Sequence, residues 1–317
     1  MRKFINIESK FSVVLIFTVL LTFCVSYSHA QQDPVYSQYM NNLMSVNPAY
    51  TGVRGVGSIS NINRAQWVNL ENAPMTSSLT FHMPIDSIKV GAGIDFTYDN
   101  HWPATTTALF FNYAYSIEAS SNSRLSFGLK GGFNYLRATL TQLDRYHEDD
   151  QYIIDYGDFS RFMSNFGVGL FWYSNNAYAG FAVPRLLQNK YHRDVTIVEA
   201  ASREERHYMV HGAYMHRISP NLVFKPGVSA ILTAGAPVTA DFDFGFLFYN
   251  RFAVGSRYRI SDSVGGYMHM QIENFKVGFL YEYPLTDIRY FNIGTMELML
   301  RFDFKTRGNQ VFPDFSF

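Results

Sequence analysis

A period-two alternation across residues 241–282 constrains this chain more than any other feature. Between Asp241 and Phe248, phenylalanines take every second position, and Asp241, Asp243 and Gly245 take the first three of the others. Successive side chains of a β-strand point to opposite faces, so one face of this segment is aromatic and the other is small or charged. The same alternation recurs in the strand-like segments that follow. Aromatic rings toward lipid and small or charged residues toward an enclosed lumen are typical of a transmembrane β-barrel.

Two charge pairs in the lumen follow from pairing the first two of these strands across their turn. If both aromatic rows face lipid, Asp241 lies opposite Arg259 and Asp243 lies opposite Arg257. Directly opposite residues in an antiparallel pair have Cβ atoms about 5 Å apart, so the charges would neutralise each other and help fill the barrel. The alternative is that these four residues are ordinary rim charges of a water-filled channel.

Composition agrees with a membrane wall. Charged residues make up 16% of the chain, below the roughly 25% of soluble domains, while aromatic residues make up 17%. The formal net charge is zero, whereas a nucleic-acid-binding protein shows a basic excess, so we expect no nucleic-acid partner. After residue 30 no segment has the roughly 20 continuous apolar residues that a membrane-spanning helix needs.

Residues 1–30 have the pattern of an export signal. Basic residues precede an apolar run over residues 11–25, and Ser28-His29-Ala30 supplies small side chains for cleavage. We therefore predict a signal peptide over residues 1–30. The single cysteine, Cys24, lies within it, and the bulky Phe23 before it disfavours lipidation. The mature chain then has no thiol for disulfide, redox or cysteine–metal chemistry.

The sequence between residues 56 and 304 predicts an all-β fold, a transmembrane antiparallel β-barrel of about fourteen strands. The predicted strands include residues 106–117, 125–136, 162–173, 177–183, 207–217, 239–248, 252–259 and 295–304. An even strand number suits a bacterial outer-membrane barrel. Every second connection is short, and four long connections, at residues 65–74, 137–161, 185–206 and 284–294, fall on the opposite end. Because such barrels have short periplasmic turns and longer outer loops, we expect a multi-pass protein in contact with outer-membrane lipid. Both termini would then be periplasmic, with residues 305–317 as a periplasmic tail.

Residues 31–55 lack the alternation and form no wall strand in this interpretation. They are rich in amides and tyrosines and are punctuated by Pro34 and Pro48. We expect a periplasmic or lumenal segment, which is either a strap inside or beneath the barrel or a loosely ordered leader.

Candidate catalytic and metal sites are weak. His207 and His211 are four residues apart, which on an extended strand separates them by roughly 13 Å at 3.3 Å per residue, too far for one ion. The loop His147-Glu148-Asp149-Asp150, with Asp155 and Asp158, is acidic but lacks the regular spacing of a calcium loop. A solvated loop is therefore favoured, and calcium binding stays open. No nucleophile elbow or phosphate loop is present. We expect no enzymatic activity and no cofactor.

Three sequence patches stand apart from the alternation of the wall. The first is Asp33-Pro34-Val35-Tyr36-Ser37-Gln38-Tyr39-Met40, followed by Asn47-Pro48-Ala49-Tyr50-Thr51-Gly52. The second is Arg64-Ala65-Gln66-Trp67 with Pro74 downstream, and the third is Gly294-Thr295-Met296-Glu297. Together they resemble the PorP/SprF family of Bacteroidetes outer-membrane proteins, which work with the type IX secretion system. In the third patch Met296 stands where the family usually has histidine.

The resemblance implies protein export and surface display rather than catalysis. Members of the PorP/SprF family resemble dedicated partners of large secreted adhesins, including gliding-motility adhesins. The resemblance implies that they hold the adhesin's C-terminal domain at the cell surface. Expected partners are therefore this domain and type IX secretion components. The resemblance implies partner binding by ten residues: Tyr36, Ser37, Gln38, Tyr39, Asn47, Pro48, Tyr50, Arg64, Gln66 and Trp67. We expect Arg64, Gln66 and Trp67 at the outer rim, where the alternative is a packed Arg-Gln pair and a membrane-interface tryptophan. An outer-membrane porin or solute channel is the alternative function.

Overall fold

The computed structural model describes residues 37–86, 89–142, 158–191 and 203–304. The predicted signal peptide, Tyr36, residues 147–150 and 155 of the acidic loop, and the predicted tail 305–317 lie outside these ranges. No helix within the described ranges is long and apolar enough to cross a membrane.

Fifteen strands form one antiparallel sheet that closes on itself. In chain order they are β1 (Gly57–Ala65), β2 (Met75–Asp86), β3 (Val90–His101), β4 (Ala104–Ser120), β5 (Ser123–Thr139), β6 (Asp158–Ser174), β7 (Ala177–Val183), β8 (His207–Tyr214), β9 (His216–Ser219), β10 (Leu222–Thr233), β11 (Thr239–Phe248), β12 (Phe252–Arg259), β13 (Ser263–Ile272), β14 (Phe275–Pro284) and β15 (Thr295–Phe304). The first strand pairs with the last, and β10 pairs with β11, which closes the barrel.

The barrel has fourteen wall positions because β8 and β9 share one. Both pair with β10, β8 along residues 227–233 and β9 along residues 222–224. The sequence predicted one strand over residues 207–217, and the structure interrupts it at Met215, whose amide donates to Asn176 O at 2.7 Å. The predicted fourteen-strand antiparallel barrel is confirmed, with this one extra strand.

The connections differ between the two ends of the barrel. The short-turn end carries the turns at residues 121–122, 175–176, 249–251 and 273–274, together with the start of β1 and the end of β15. The long-loop end carries the connections 66–74, 140–157, 184–206 and 285–294. It also carries short turns at 102–103, 234–238 and 260–262. Strands β4, β5 and β6 are 17 residues long, so the wall is tallest there.

In β11, where the alternation is clearest, successive side chains point to the lumen and to the outer surface in turn, as the sequence predicts. In β11, Asp241 and Asp243 are buried in the lumen, while Phe242, Phe244 and Phe246 are exposed on the outer surface. Apolar side chains on the outer surface suit contact with hydrocarbon. Closure of the sheet pairs the first and last strands, so no open sheet edge faces the lipid.

Candidate functional site

The lumen holds a non-barrel segment, residues 37–56, called the lumenal segment below. The amide of Ser37 donates to Glu297, the third residue of β15, at 2.8 Å. At the other end of the segment, Arg54 reaches Asp303, the penultimate residue of β15, at 2.7 Å. The segment therefore runs along the lumen from near the long-loop end to the short-turn end, where β1 begins.

Short helical turns give this segment its compact path. A four-residue helix, α1 (Leu43–Val46), lies between two 3₁₀ turns, Tyr39–Asn41 and Pro48–Tyr50. Asn47 caps the second turn, its Oδ1 accepting from the amide of Ala49 at 3.0 Å. Pro48 follows at the first helical position, where its missing amide hydrogen costs nothing. Gly52 ends the turns with a φ of +77°, a conformation that favours glycine.

A hydrophobic core forms between the lumenal segment and the wall. On the segment side, Leu43, Met44, Ala49 and Tyr50 are buried. On the wall side the buried partners are Phe171, Tyr173, Tyr178, Tyr267 and Leu280. The sequence predicted an inward face of small or charged residues only. The inward aromatic side chains of β6, β7 and β13 depart from that prediction because they pack on the lumenal segment rather than contact water.

Inward-facing wall glycines make room for the segment backbone. A Cβ added at Gly128 would lie 2.0 Å from Ala49 N, and one at Gly91 would lie 2.1 Å from Thr51 O. At Gly169 it would meet Asn47 Oδ1 at 2.1 Å. Real Cβ atoms do not approach this closely, so only glycine at these positions lets the segment contact strands β3, β5 and β6.

Glu297 fastens the start of the lumenal segment. Its carboxylate is fully buried and accepts from the amides of Ser37 and Gln38 at 2.8 and 2.9 Å. It also pairs with Arg64 Nη1 at 2.6 Å, and Arg64 lies 3.2 Å from Glu282. One cation therefore joins two wall carboxylates, and Ser37 Oγ accepts from the same Arg64 nitrogen at 3.0 Å. Charge-assisted bonds of this kind are roughly twice as strong as neutral ones.

Histidine and threonine side chains of the wall bind polar groups along the rest of the segment. His269 Nε2 lies 2.9 Å from Gln38 Oε1 and 3.0 Å from Asn41 Nδ2. Thr80 donates to Asn42 Oδ1 at 2.9 Å, and the amide of Gly52 donates to His82 Nδ1 at 3.2 Å. Across the described part of the chain, no group of three or more histidine, cysteine, aspartate or glutamate side chains could hold a metal ion.

The lumenal charges of β11 and β12 form a bridge rather than two separate pairs. Asp241 lies opposite Arg259 and Asp243 opposite Arg257 in the strand register. Arg257, however, reaches diagonally to Asp241, which also accepts from Arg259 at 2.8 Å. Asp243 instead accepts from Tyr267 Oη at 2.8 Å. In place of the predicted Asp243–Arg257 pair, Asp241, Arg257 and Arg259 form a three-residue bridge. The carboxylate of Asp243 is hydrogen-bonded to Tyr267.

Tyr39 of the lumenal segment packs against this charge cluster. The guanidinium of Arg257 lies 5.0 Å from the centre of the Tyr39 ring, within the range of a cation–π contact. Burial raises the pKa of Tyr39 to about 12, so the phenol stays neutral at physiological pH.

A second inward connection lies at the long-loop end, between β7 and β8. Glu204 is buried and accepts from Asn134, Asn165 and Asn189 at 2.8, 3.0 and 2.7 Å. Arg185 lies 3.4 Å from the same carboxylate. This connection is therefore fastened to the inner face of β5 and β6.

Comparison with known families decides the assignment. Residues 28–302 match the family described as "Type IX secretion system membrane protein PorP/SprF". This chain belongs to the PorP/SprF family. Together with the closed barrel and its aromatic exterior, membership makes the chain an outer-membrane β-barrel protein of the secretion system. Its partners therefore include type IX secretion components.

Solved structures similar to this PorP/SprF barrel are other membrane barrels. The Acinetobacter baumannii outer membrane protein Omp33 is 9% identical, with a TM-score of 0.46, covering 81% of this chain and 100% of that one. The CymD monoaromatic hydrocarbon channel is 10% identical, with a TM-score of 0.49 and coverage of 86% and 94%. The NanC porin is 11% identical, with a TM-score of 0.40 and coverage of 79% and 100%. No curated protein matches the sequence. Similarities this distant carry no functional conclusion.

The structure places the PorP/SprF motif residues mainly inside the barrel. Ser37, Gln38, Tyr39, Asn47, Pro48 and Tyr50 are all buried against the wall. Arg64, the penultimate residue of β1, lies near the long-loop end, but its side chain is buried in the lumen and pairs with two glutamates rather than with Gln66. Gln66 and Trp67 are half-buried in the β1–β2 connection at the long-loop end. The backbone amide of Gln66 donates to the carbonyl oxygen of Pro74 at 3.0 Å.

Sequence reasoning missed the residues that hold the lumenal segment. Glu297 stands in the third motif, next to the Met296 that replaces the family's histidine. Met296 belongs to the outward-facing register of β15, and Glu297 belongs to the inward one. The inward glycines were visible in the alternation, and their number was the signal that something packs against the wall.

Proposed function

We propose that this barrel receives a secreted adhesin of the gliding-motility type and anchors it at the cell surface through the adhesin's C-terminal domain, without enzymatic activity. The observation that carries this proposal is the packed lumenal segment. A solute channel needs a continuous water-filled lumen, and here the chain's own residues 37–56 form a hydrophobic core inside the wall. A filled barrel in a secretion family is better suited to holding a protein than to passing solutes.

The long-loop end is the proposed adhesin surface. In barrels of this class the longer loops face the cell exterior, and both termini would then be periplasmic. The β14–β15 connection exposes Tyr290 and Phe291, at 71% and 70% of their surface. This connection is held beside the β1–β2 connection, since the amide of Val68 donates to Gly294 O at 2.8 Å and the amide of Ile293 to Val68 O at 3.0 Å. Exposed aromatic side chains on a loop that hydrogen bonds hold in place are typical anchors of protein interfaces.

The test compares matched aromatic substitutions at the two ends. We expect Tyr290→Ser with Phe291→Ser to lower the amount of adhesin retained on whole cells, measured by surface antibody labelling. Tyr249→Ser is the control, because Tyr249 is equally exposed, at 70%, but lies on a short turn at the opposite end. Full retention in the double variant, with all variants present in the outer membrane at equal amounts, would refute this surface.

A further inference from the structure

A cavity of about 650 Å³ lies at the short-turn end of the barrel. Turn residues Asn176, Asn250 and Asn274 form part of its lining, and so does Phe304 at the end of β15. On the lumen side the lining includes Arg54 and His269, which also contact the lumenal segment or β15. The volume falls within the range of ordinary ligand pockets.

The lining of this cavity carries more positive than negative charge. Four cationic side chains, those of Arg54, Arg217, Arg251 and Lys276, face two carboxylates, those of Glu273 and Asp303. Asp303 is already bonded to Arg54 at 2.7 Å and lies 3.2 Å from Arg301. The field of the cavity therefore favours an anionic group.

The rest of the lining suits a polypeptide better than a small anion. Met215, Val223 and Leu247 form an apolar wall, and the turn asparagines offer both donors and acceptors that match a peptide backbone. The apolar wall coincides with the interruption between β8 and β9 at Met215 and with a register shift at Val223. Such irregularities are common next to binding sites, where they redirect side chains.

We propose that this cavity binds an extended acidic segment of a periplasmic secretion-system partner, with acidic side chains near Arg217 and Arg251 and apolar ones on Met215, Val223 and Leu247. The inference goes beyond the adhesin surface and rests on the proposed orientation, in which the short turns face the periplasm. It gives the barrel two faces, one for the displayed protein and one for the secretion machinery.

The experiment uses the full mature chain, which contains no cysteine after Cys24. Leu247→Cys is labelled with a maleimide in detergent, with or without the blocked tetrapeptide Asp-Phe-Asp-Phe. The blocked peptide Lys-Phe-Lys-Phe is the control, because it has the same apolar content and the opposite charge. We expect the acidic peptide alone to slow labelling, by about tenfold at ten times its Kd, and Arg217→Glu with Arg251→Glu to abolish the protection.

Three outcomes overturn the proposal: no protection at millimolar acidic peptide, equal protection by both peptides, or unchanged protection in the Arg217→Glu, Arg251→Glu variant. A version ending at residue 304 tests a rival occupant. If it labels much faster than the full chain and the acidic peptide protects neither version, the chain's own residues 305–317 fill the cavity and the partner assignment fails. Adhesin retention on cells is measured separately, so failure here is distinguishable from failure of the long-loop surface.

Discussion

Replacing Gly128 by valine is expected to displace the lumenal segment while leaving the barrel wall intact. A Cβ at this position would lie 2.0 Å from Ala49 N and 2.3 Å from Pro48 C, whereas ordinary contact begins at 3.4 Å. The segment must therefore retreat by about 1.4 Å, the difference between these distances. Hydrogen bonds weaken beyond about 3.2 Å, so the bond from Asn47 Nδ2 to Leu170 O, now 2.9 Å, would be among those lost.

The free-energy change follows from these contacts. Overpacking costs about 1–3 kcal/mol, and each lost hydrogen bond adds about 1 kcal/mol. A total of about 3 kcal/mol would shift the balance between the seated and displaced segment by roughly a hundredfold, because each 1.4 kcal/mol is a factor of ten. We expect Gly128→Val to raise ion conductance in planar bilayers and sugar flux in liposome swelling.

Gly131→Val provides a control on the same strand. Gly131 lies three residues after Gly128 on β5 and faces outward. A Cβ added there would lie 3.4 Å from Phe166 Cδ1, which is ordinary van der Waals contact. Both variants should show the heat-dependent gel mobility of a folded barrel. Equal flux through the two folded variants would refute the conclusion that the inward glycines allow the lumenal segment to pack against the wall.

Two further predictions concern the buried carboxylates. Glu297→Gln leaves Arg64 with Glu282 at 3.2 Å as its remaining ion pair, but one of the two backbone amides that Glu297 accepts from would face an NH₂ group instead of an oxygen. The substitution should lower barrel stability by about 1–3 kcal/mol, seen as a lower temperature of heat-modified gel mobility. Glu118→Gln, with a side chain 72% exposed, should change nothing, and an equal effect of both would contradict the role of Glu297. Glu204→Ala should release the β7–β8 connection from Asn134 and Asn165. Protease should then cleave this connection faster in intact membranes, while the melting temperature of the barrel changes little. An unaltered cleavage rate would show that Glu204 does not fasten the connection.

The alternating strands could be predicted well from the sequence. Predicted and observed bounds agree for β7, β11, β12 and β15, because lipid and lumen impose opposite demands on successive residues. The pattern could not reveal the interruption at Met215, since the residues on both sides of it keep a strand-like composition. It also underestimated β4, β5 and β6, whose ends extend beyond the apolar band and lose the alternation.

The interior could not be predicted in the same way. Phe171 and Tyr173 alternate with outward-facing Leu170 and Trp172, so both faces of β6 are apolar and the period alone does not show which one a segment covers. The bonds from Ser37 and Gln38 to Glu297 join residues about 260 positions apart. A single sequence contains no signal for such pairings, although the inward glycines limited where a close approach was possible.

The most direct test of the filled lumen is a disulfide between the lumenal segment and the wall. Thr80 Oγ1 donates to Asn42 Oδ1 at 2.9 Å, so Asn42→Cys with Thr80→Cys should cross-link under mild oxidation in outer membranes. Asn42→Cys with Leu79→Cys is the matched control, since Leu79 is the neighbouring residue of β2 and faces outward, 46% exposed. The account predicts a disulfide for the first pair and none for the second; a first pair that stays reduced, or equal cross-linking of both, would contradict it.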